Sequence, residues 1–206
     1  MDALAMQDLK SIIAQSMDQS ISASDYETLL HDFAKSGKTS GTKQNEDLIH
    51  YTKLNAQRGK RINKTWQLDD LLVKEVKRIQ DPQQWIVLTE SWCGDAANAI
   101  PILARLAELN EQISLQVMFR DENLPLMDQF LTNGGRSIPK LLALDQNLDV
   151  LYTWGPRPKE AQTLYMNWRN SEDKTPYSEF HVILQKWYNE DAGKAMQKEL
   201  LELMGK

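Results

Sequence analysis

The chain has almost no cysteine: Cys93 is the single one among 206 residues. One cysteine excludes an intrachain disulfide framework and is typical of proteins from a reducing compartment. Long apolar runs are also missing, since no stretch approaches the ~18 residues that a membrane span needs. Residues 1–20 contain no basic segment followed by an unbroken apolar one, so no secretory signal is expected. We therefore expect a cytoplasmic protein without membrane contacts.

Several other sites are excluded by what the sequence lacks. The three histidines, His31, His50 and His181, are scattered and have no cysteine or carboxylate at metal-ligand spacing, so no metal site is expected. No G-x-S-x-G segment occurs, which excludes the usual serine-hydrolase elbow. The formal net charge of −5 argues against nucleic acid as the main partner.

The position of Cys93 is the most informative feature that is present. The apolar run Trp85–Thr89 predicts a buried strand, and a helix with an apolar face is expected from Cys93 to about Leu109. A cysteine at such a junction faces unpaired backbone N–H groups and the positive end of the helix dipole, which both stabilise a thiolate. Asp95 in the first helical turn would oppose that ionisation. Ala96 stands where a C-x-x-C pair would have its second cysteine.

The rest of the chain predicts helices around a small sheet. Residues 1–64 are expected to form a helical extension without evident chemistry, and residues 65–206 to form the domain that holds Cys93. The extension is predicted to contain a helix around Leu4–Met17, a second from Ser24 (capped with Glu27) to near Gly37, and a third over Gln44–Gln57 followed by basic residues on a solvated face. After the strand and helix around Cys93, the predicted elements are a strand Ser114–Phe119, a short helix through Met127 to Leu131, strands Lys140–Leu144 and Val150–Trp154, and two or three final helices. This alternation is typical of an α/β fold.

The motif Trp92-Cys93-Gly94, together with this order of elements, resembles the thioredoxin family. Pro101, eight residues after Cys93, matches the proline that bends the active-site helix of that family. Pro139 matches its cis-proline, and Gly155, sixteen residues later, matches the glycine that follows its last strand. The resemblance implies a thioredoxin fold, which is a central mixed sheet flanked by helices, with an all-helical N-terminal extension and extra C-terminal helices.

Residues 131–139 and 154–158 are similar to one branch of the family, bacterial thioredoxin-like proteins with a helical N-terminal extension. In that family, the residue before the cis-proline offers its backbone to an extended substrate beside the sulfur. Arg136 either keeps the thiolate charged or orients an anionic substrate, or it is a surface residue without such a role. The site that the resemblance implies consists of the catalytic Cys93 and the substrate-binding residues Trp92, Gly94, Asp95, Arg136, Ile138, Pro139, Trp154 and Gly155.

The chain also departs from the family in ways that leave two functions open. Ala96 removes the resolving cysteine, and Val87 replaces the buried aspartate that serves it. In the first function, Cys93 is a monothiol that exchanges with a protein or small-thiol disulfide, and an external low-molecular-weight thiol or a partner resolves it without any bound cofactor. In the second, the domain is a non-catalytic binding or adaptor module, or a redox sensor.

Overall fold

A five-stranded mixed sheet forms the centre of the computed structural model, which describes residues 3–205 and the side chains from residue 7 onward. The strands are β1 (Ile21–Ser22), β2 (Gln83–Thr89), β3 (Ile113–Phe119), β4 (Lys140–Asp145) and β5 (Val150–Trp154). Their order across the sheet is β1-β3-β2-β4-β5. The β2–β3 pair is parallel and all other pairs are antiparallel. This is the α/β arrangement that the sequence predicts.

The described helices flank the sheet on both faces. They are α1 (Ala3–Met17), α2 (Ala23–Ser36), α3 (Glu46–Thr65), α4 (Asp70–Arg78), α5 (Gly94–Ala107), α6 (Leu124–Met127), α7 (Lys159–Asn170), α8 (Tyr177–Asp191) and α9 (Lys194–Met204). A short 3₁₀ turn, Arg120–Glu122, precedes α6. The sequence predicts a short helix over residues 127–131, whereas α6 ends at Met127.

β2 carries the site because it is the middle strand of the sheet. Its residues 85–89 are all buried, and Val87 pairs with Val117 on one side and with Leu141 on the other. A strand that is covered on both faces has a continuous apolar sequence rather than an alternating one. Where this run ends, the chain turns into α5, and Cys93 caps the start of that helix with an extended backbone.

The first helices differ from the expected bounds in two places. α2 begins at Ala23, one residue before the expected Ser24, because Ile21 and Ser22 pair with β3, which leaves Ser22 extended and able to cap the helix. The Ser22 hydroxyl accepts from the N–H of Asp25 and donates to its carboxylate, in place of the expected Ser24–Glu27 pair. α3 continues eight residues beyond the expected Gln57 and thus includes the basic stretch.

The helical extension shares its core with the sheet domain. Ile13 of α1, Leu30 of α2 and Ile62 of α3 belong to the same cluster of buried side chains as the central strands. α3 packs against α5, the helix that Cys93 caps. The division of the chain at residue 64 stays a prediction, and the buried core runs across that point.

Gly155 brings the end of β5 against the start of β4. Its φ is +109°, a conformation that side chains rarely adopt, and a Cβ at this position would overlap the carbonyl oxygen of Pro139. The Ile138–Pro139 and Gly155–Pro156 peptide bonds are both cis. Because glycine alone lacks a Cβ, only glycine permits the two backbone segments to lie this close.

We expect Gly155→Ala to lower the free energy of unfolding by about 3 kcal/mol or more, because the added methyl group meets backbone that is fixed on both sides. Gly134→Ala is the matched control: Gly134 also has a positive φ, +73°, but nothing lies within 4 Å of an added Cβ. Its expected cost is the ~1 kcal/mol of a left-handed backbone alone. Urea denaturation measures both, and equal costs would show that the contact with Pro139 is unimportant.

Candidate functional site

Cys93 faces a cavity of about 410 Å³. The cavity is lined by residues 92–95, by Arg120, by residues 136–138, by Arg157 and Tyr165, and by side chains of α3 and α8. Six of the predicted site residues line it, namely Trp92, Cys93, Gly94, Asp95, Arg136 and Ile138. The structure thus brings together most of the residues that the resemblance implies.

Trp154 and Gly155 lie elsewhere. They line a second cavity, of about 500 Å³, on the side of α9. The indole of Trp154 is buried and donates to Glu199 at 2.7 Å. Although the resemblance predicts Trp154 near the sulfur, its side chain is held against α9 by this bond. Gly155 contacts the backbone of Pro139 instead of lining the Cys93 cavity.

The thiol of Cys93 is buried, and the side chain is only 6% exposed. Its Sγ–H donates to the carbonyl oxygen of Ile138 at 3.4 Å. Burial, followed by the negative charge of Asp95, raises the pKa of the thiol to about 12, although the backbone N–H groups of Ala96 and Asp95 and the charge of Arg157 oppose this. The stabilised thiolate expected from the sequence is therefore not the favoured form here. The helix N-terminus acts as predicted, but desolvation outweighs it.

Asp95 forms a buried ion pair beside the sulfur. Its Oδ2 lies 2.6 Å from a guanidinium nitrogen of Arg157, and its Oδ1 accepts from the hydroxyl of Tyr188 at 2.8 Å. The side chains of Asp95 and Arg157 are 6% and 10% exposed. Burial raises the pKa of Asp95 above its ordinary value, and Arg157 and the Tyr188 hydroxyl oppose this only in part. The short contacts to a guanidinium and to a hydroxyl donor are those of a paired carboxylate.

Arg157 supplies the positive charge that favours the Cys93 thiolate, a role that the sequence offered for Arg136. Its guanidinium stacks over the ring of Tyr165 at 4.2 Å and donates to Gln162 at 3.1 Å. Its Nε is buried and has no hydrogen-bond partner among the described residues. A buried donor of this kind is costly unless a ligand or water satisfies it.

Arg136 and Arg120 lie at the rim of the cavity. Arg136 is exposed and donates two bonds to Asp128, at 2.6 and 2.8 Å. Arg120 pairs with Asp121 and stacks over the ring of Trp92 at 5.3 Å. The surface role that the sequence left open for Arg136 thus describes its main contact, although the residue also lines the cavity.

Helix α8 covers the start of α5. The Nε2 of His181 lies so close to Gly94 that a Cβ there would be 2.9 Å from it, and Nη1 of Arg58 in α3, 3.4 Å from the same Nε2, would be 3.3 Å from that Cβ. Tyr177 of α8 also lines the cavity. His181 shares the cavity with Cys93 because α8 packs over the start of α5. Burial and then Arg58 lower the pKa of His181 to about 4, so the ring is neutral at physiological pH.

A buried polar network fixes the segment that precedes Cys93. The Glu90 carboxylate accepts from the Ser40 hydroxyl and from the N–H of Asp121. Ser40 and Ser91 exchange two further bonds, at 2.8 and 2.9 Å. Asn55 of α3 donates to the carbonyl of Ser91 at 2.9 Å. The loop between α2 and α3 is thereby tied to the residues that position the sulfur.

Sequence reasoning missed the residues that complete the site from afar, namely Arg157, Tyr188, His181, Glu90 and Ser40. Arg157 lies in the segment 154–158 that resembles the family, but its partner Asp95 lies on another element, so neither spacing nor periodicity could pair them.

Among the described residues, no group of three or more histidine, cysteine or acidic side chains could hold a metal ion. Within residues 3–205, no helix is long and apolar enough to cross a membrane.

Comparisons with known proteins bear on the family and the fold of the chain. Residues 41–171 match a family model described as Thioredoxin. None of the curated proteins matches the chain. The crystal structure of a protein of unknown function from Pseudomonas aeruginosa is similar with a TM-score of 0.54 and 18% identity, over 76% of this chain and 84% of the other. An HIV epitope-scaffold is similar with a TM-score of 0.53 and 17% identity, over 85% and 96%. At these identities, the two structures support the fold alone.

We expect Ser40→Ala to lower the free energy of unfolding by about 2 kcal/mol, because it leaves the buried Oε2 of Glu90 and the Ser91 N–H each without a partner. Ser36→Ala is the control, since the Ser36 hydroxyl is exposed and bonds only within its own helix. Its expected effect is within about 0.5 kcal/mol. Urea denaturation followed by tryptophan fluorescence measures both, and equal effects would contradict a fixing role for the network.

Proposed function

Because the chain belongs to the thioredoxin-like family, we propose that it performs monothiol thiol-disulfide exchange at Cys93. The observation that carries this proposal is the position of the sulfur: Cys93 caps α5, next to Ile138 and facing a cavity of about 410 Å³. A cavity of this volume lies in the range of small-ligand sites. A reducing compartment such as the cytoplasm would supply the external thiol.

The reaction proceeds in two exchanges that leave the total oxidation state unchanged. The Cys93 thiolate attacks one sulfur of a substrate disulfide, the S–S bond breaks, and the leaving thiolate takes up a proton. Cys93 is then oxidised in a mixed disulfide, and one half of the substrate is reduced. A second thiolate, from an external low-molecular-weight thiol, attacks the mixed disulfide and releases Cys93. Ala96 cannot provide that second sulfur.

The raised pKa makes the resting thiol slow but not inert. At pH 7, the raised pKa leaves only a very small fraction of Cys93 as thiolate. The more basic thiolate is also the more nucleophilic one, with a Brønsted slope of about 0.4–0.5, so part of the loss in rate is regained. Binding of the substrate beside the sulfur would offset the remaining loss, since effective molarities of oriented groups reach about 10⁵ M.

The second candidate function is a binding module or redox sensor in which Cys93 does not turn over. The observation that favours it is the protected state of the sulfur, which is buried and donates to Ile138. A buried thiol of raised pKa resists oxidation because the thiolate is the reactive form, which suits a binding module better than a redox sensor, whose cysteine is typically acidic and exposed. The two functions differ in whether an external thiol regenerates Cys93 repeatedly.

We expect alkylation of native Cys93 by iodoacetamide to rise tenfold per pH unit from pH 6 to 10 without a plateau, since the thiol pKa lies above this range. Asp95→Asn removes the opposing carboxylate but leaves Arg157 buried without its ion-pair partner, so a thermal melt must first show that the variant is folded. In the folded variant, the rate at pH 8 should rise at least tenfold. Protein unfolded in guanidinium serves as control, with a plateau near ~8.5. A plateau below pH 9 in the native wild type would contradict the burial of the sulfur.

Exchange itself is tested with a protein mixed disulfide incubated with excess small thiol. We expect the wild type to accelerate release of the small thiol at least tenfold over Cys93→Ser, with many turnovers per protein. The serine variant keeps the size of the side chain but removes the nucleophile. If both proteins behave alike with every disulfide tried, exchange is excluded, and the binding-module function is favoured.

A further inference from the structure

Resting on the proposed exchange, we propose that the Cys93 cavity selects low-molecular-weight disulfides that carry an anionic group, and that Arg157 is the residue that recognises this group. The disulfide would place its reactive sulfur at Cys93 and its carboxylate, sulfonate or phosphate against the guanidinium of Arg157. The proposal concerns small molecules rather than extended protein segments.

The charges around the cavity support an anion. Its lining contains three guanidinium groups, on Arg120, Arg136 and Arg157, but only one carboxylate, on Asp95. Asp121 and Asp128, which pair with the first two, do not line the cavity. The N-terminus of α5 faces the same space and adds a positive end of a helix dipole.

The unsatisfied Nε of Arg157 is the second and independent observation. The side chain is nine-tenths buried, and two of its nitrogens already bond to Asp95 and Gln162. The Nε has no hydrogen-bond partner among the described residues. Arg157 lines both the Cys93 cavity and the cavity beside Trp154. A buried donor without a partner is rare in folded proteins, and an anion that moved in beside the Arg157 side chain would satisfy it with a charge-assisted bond.

The cover over the cavity favours a small ligand over an extended chain. Tyr51 of α3 and Tyr177 and His181 of α8 line the cavity together with Cys93. The carbonyl of Ile138, which would pair with an added strand, accepts from the Cys93 thiol instead. A partly covered site of about 410 Å³ has the volume that a drug-sized molecule needs.

The test uses two thiol reagents of similar size and opposite charge, 2-sulfonatoethyl and 2-(trimethylammonio)ethyl methanethiosulfonate. With each, the Cys93 thiolate attacks the sulfenyl sulfur, the S–S bond breaks, and methanesulfinate leaves. Mass spectrometry gives the labelling rates of the intact protein, and the ratio of anionic to cationic rate is divided by the same ratio in guanidinium. We expect this normalised ratio to be at least tenfold for the wild type.

Three variants assign the selectivity to Arg157. The double variant Arg157→Gln/Asp95→Asn replaces the ion pair with a neutral pair, so the fold is retained, and the normalised ratio should fall to about one. Arg157→Lys keeps the charge and should keep at least a third of the wild-type ratio. Arg136→Gln removes a cavity-lining charge that is already paired with Asp128 at the rim, and it should lower the ratio by less than the double variant does. Thermal melts of each variant confirm folding.

The outcomes separate the two proposals. If both reagents label Cys93 with a normalised ratio near one, or if Arg136→Gln lowers the ratio as much as the double variant, the anion selectivity is overturned and exchange at Cys93 stands. If neither reagent labels native Cys93 within hours, while the unfolded protein reacts in minutes, the proposed exchange itself is overturned together with the selectivity.

Discussion

The buried ion pair between Asp95 and Arg157 is the interaction on which the site depends. It joins the first turn of α5 to the chain that follows β5, at 2.6 Å, and Tyr188 of α8 bonds to the same carboxylate. Three separate parts of the chain therefore meet two residues from the sulfur. Removing either charge alone would leave the other buried without a partner, which is strongly destabilising. The pair thus fixes the place of α8 and the electrostatic field at Cys93 together.

Desolvation, and not the ion pair, explains why this helix N-terminus carries a protonated thiol. Asp95 brings a negative charge to the sulfur and Arg157 a positive one, so their effects on the thiol pKa oppose each other. Burial is the largest influence on that pKa, and neither the helix dipole nor the backbone N–H groups outweigh it. The reactivity of Cys93 is consequently controlled by what covers the cavity and by what enters it. A chain with the same Trp92-Cys93-Gly94 motif but without the C-terminal helices would present a different thiol.

The sequence predicted most of the sheet but only part of the site, because local patterns can be read from a sequence and contacts between distant segments cannot. Local runs of apolar residues mark β2 and β5, and the spacing of Cys93, Pro101 and Pro139 indicates the fold. By contrast, the end of α2 that Ser22 caps is set by pairing with β3, which lies almost a hundred residues away. The Asp95–Arg157 pair depends in the same way on tertiary packing, so no local pattern signals it. Trp154 was misplaced because the bond to Glu199 comes from an added helix outside the resemblance.

On the proposed exchange, the helical segments at both ends of the chain protect a thiol that has no second cysteine to release it from a mixed disulfide. In a dithiol site, the second sulfur ends the mixed disulfide quickly, so an exposed and acidic thiol does little harm. With Ala96 in that position, a mixed disulfide persists until an external thiol arrives. A thiol of low pKa would then be trapped by any disulfide it met. On the proposed exchange, the burial of Cys93 beside α8 and the anchoring of its loop through Ser40 and Glu90 would slow these encounters and would leave exchange to molecules that the cavity binds.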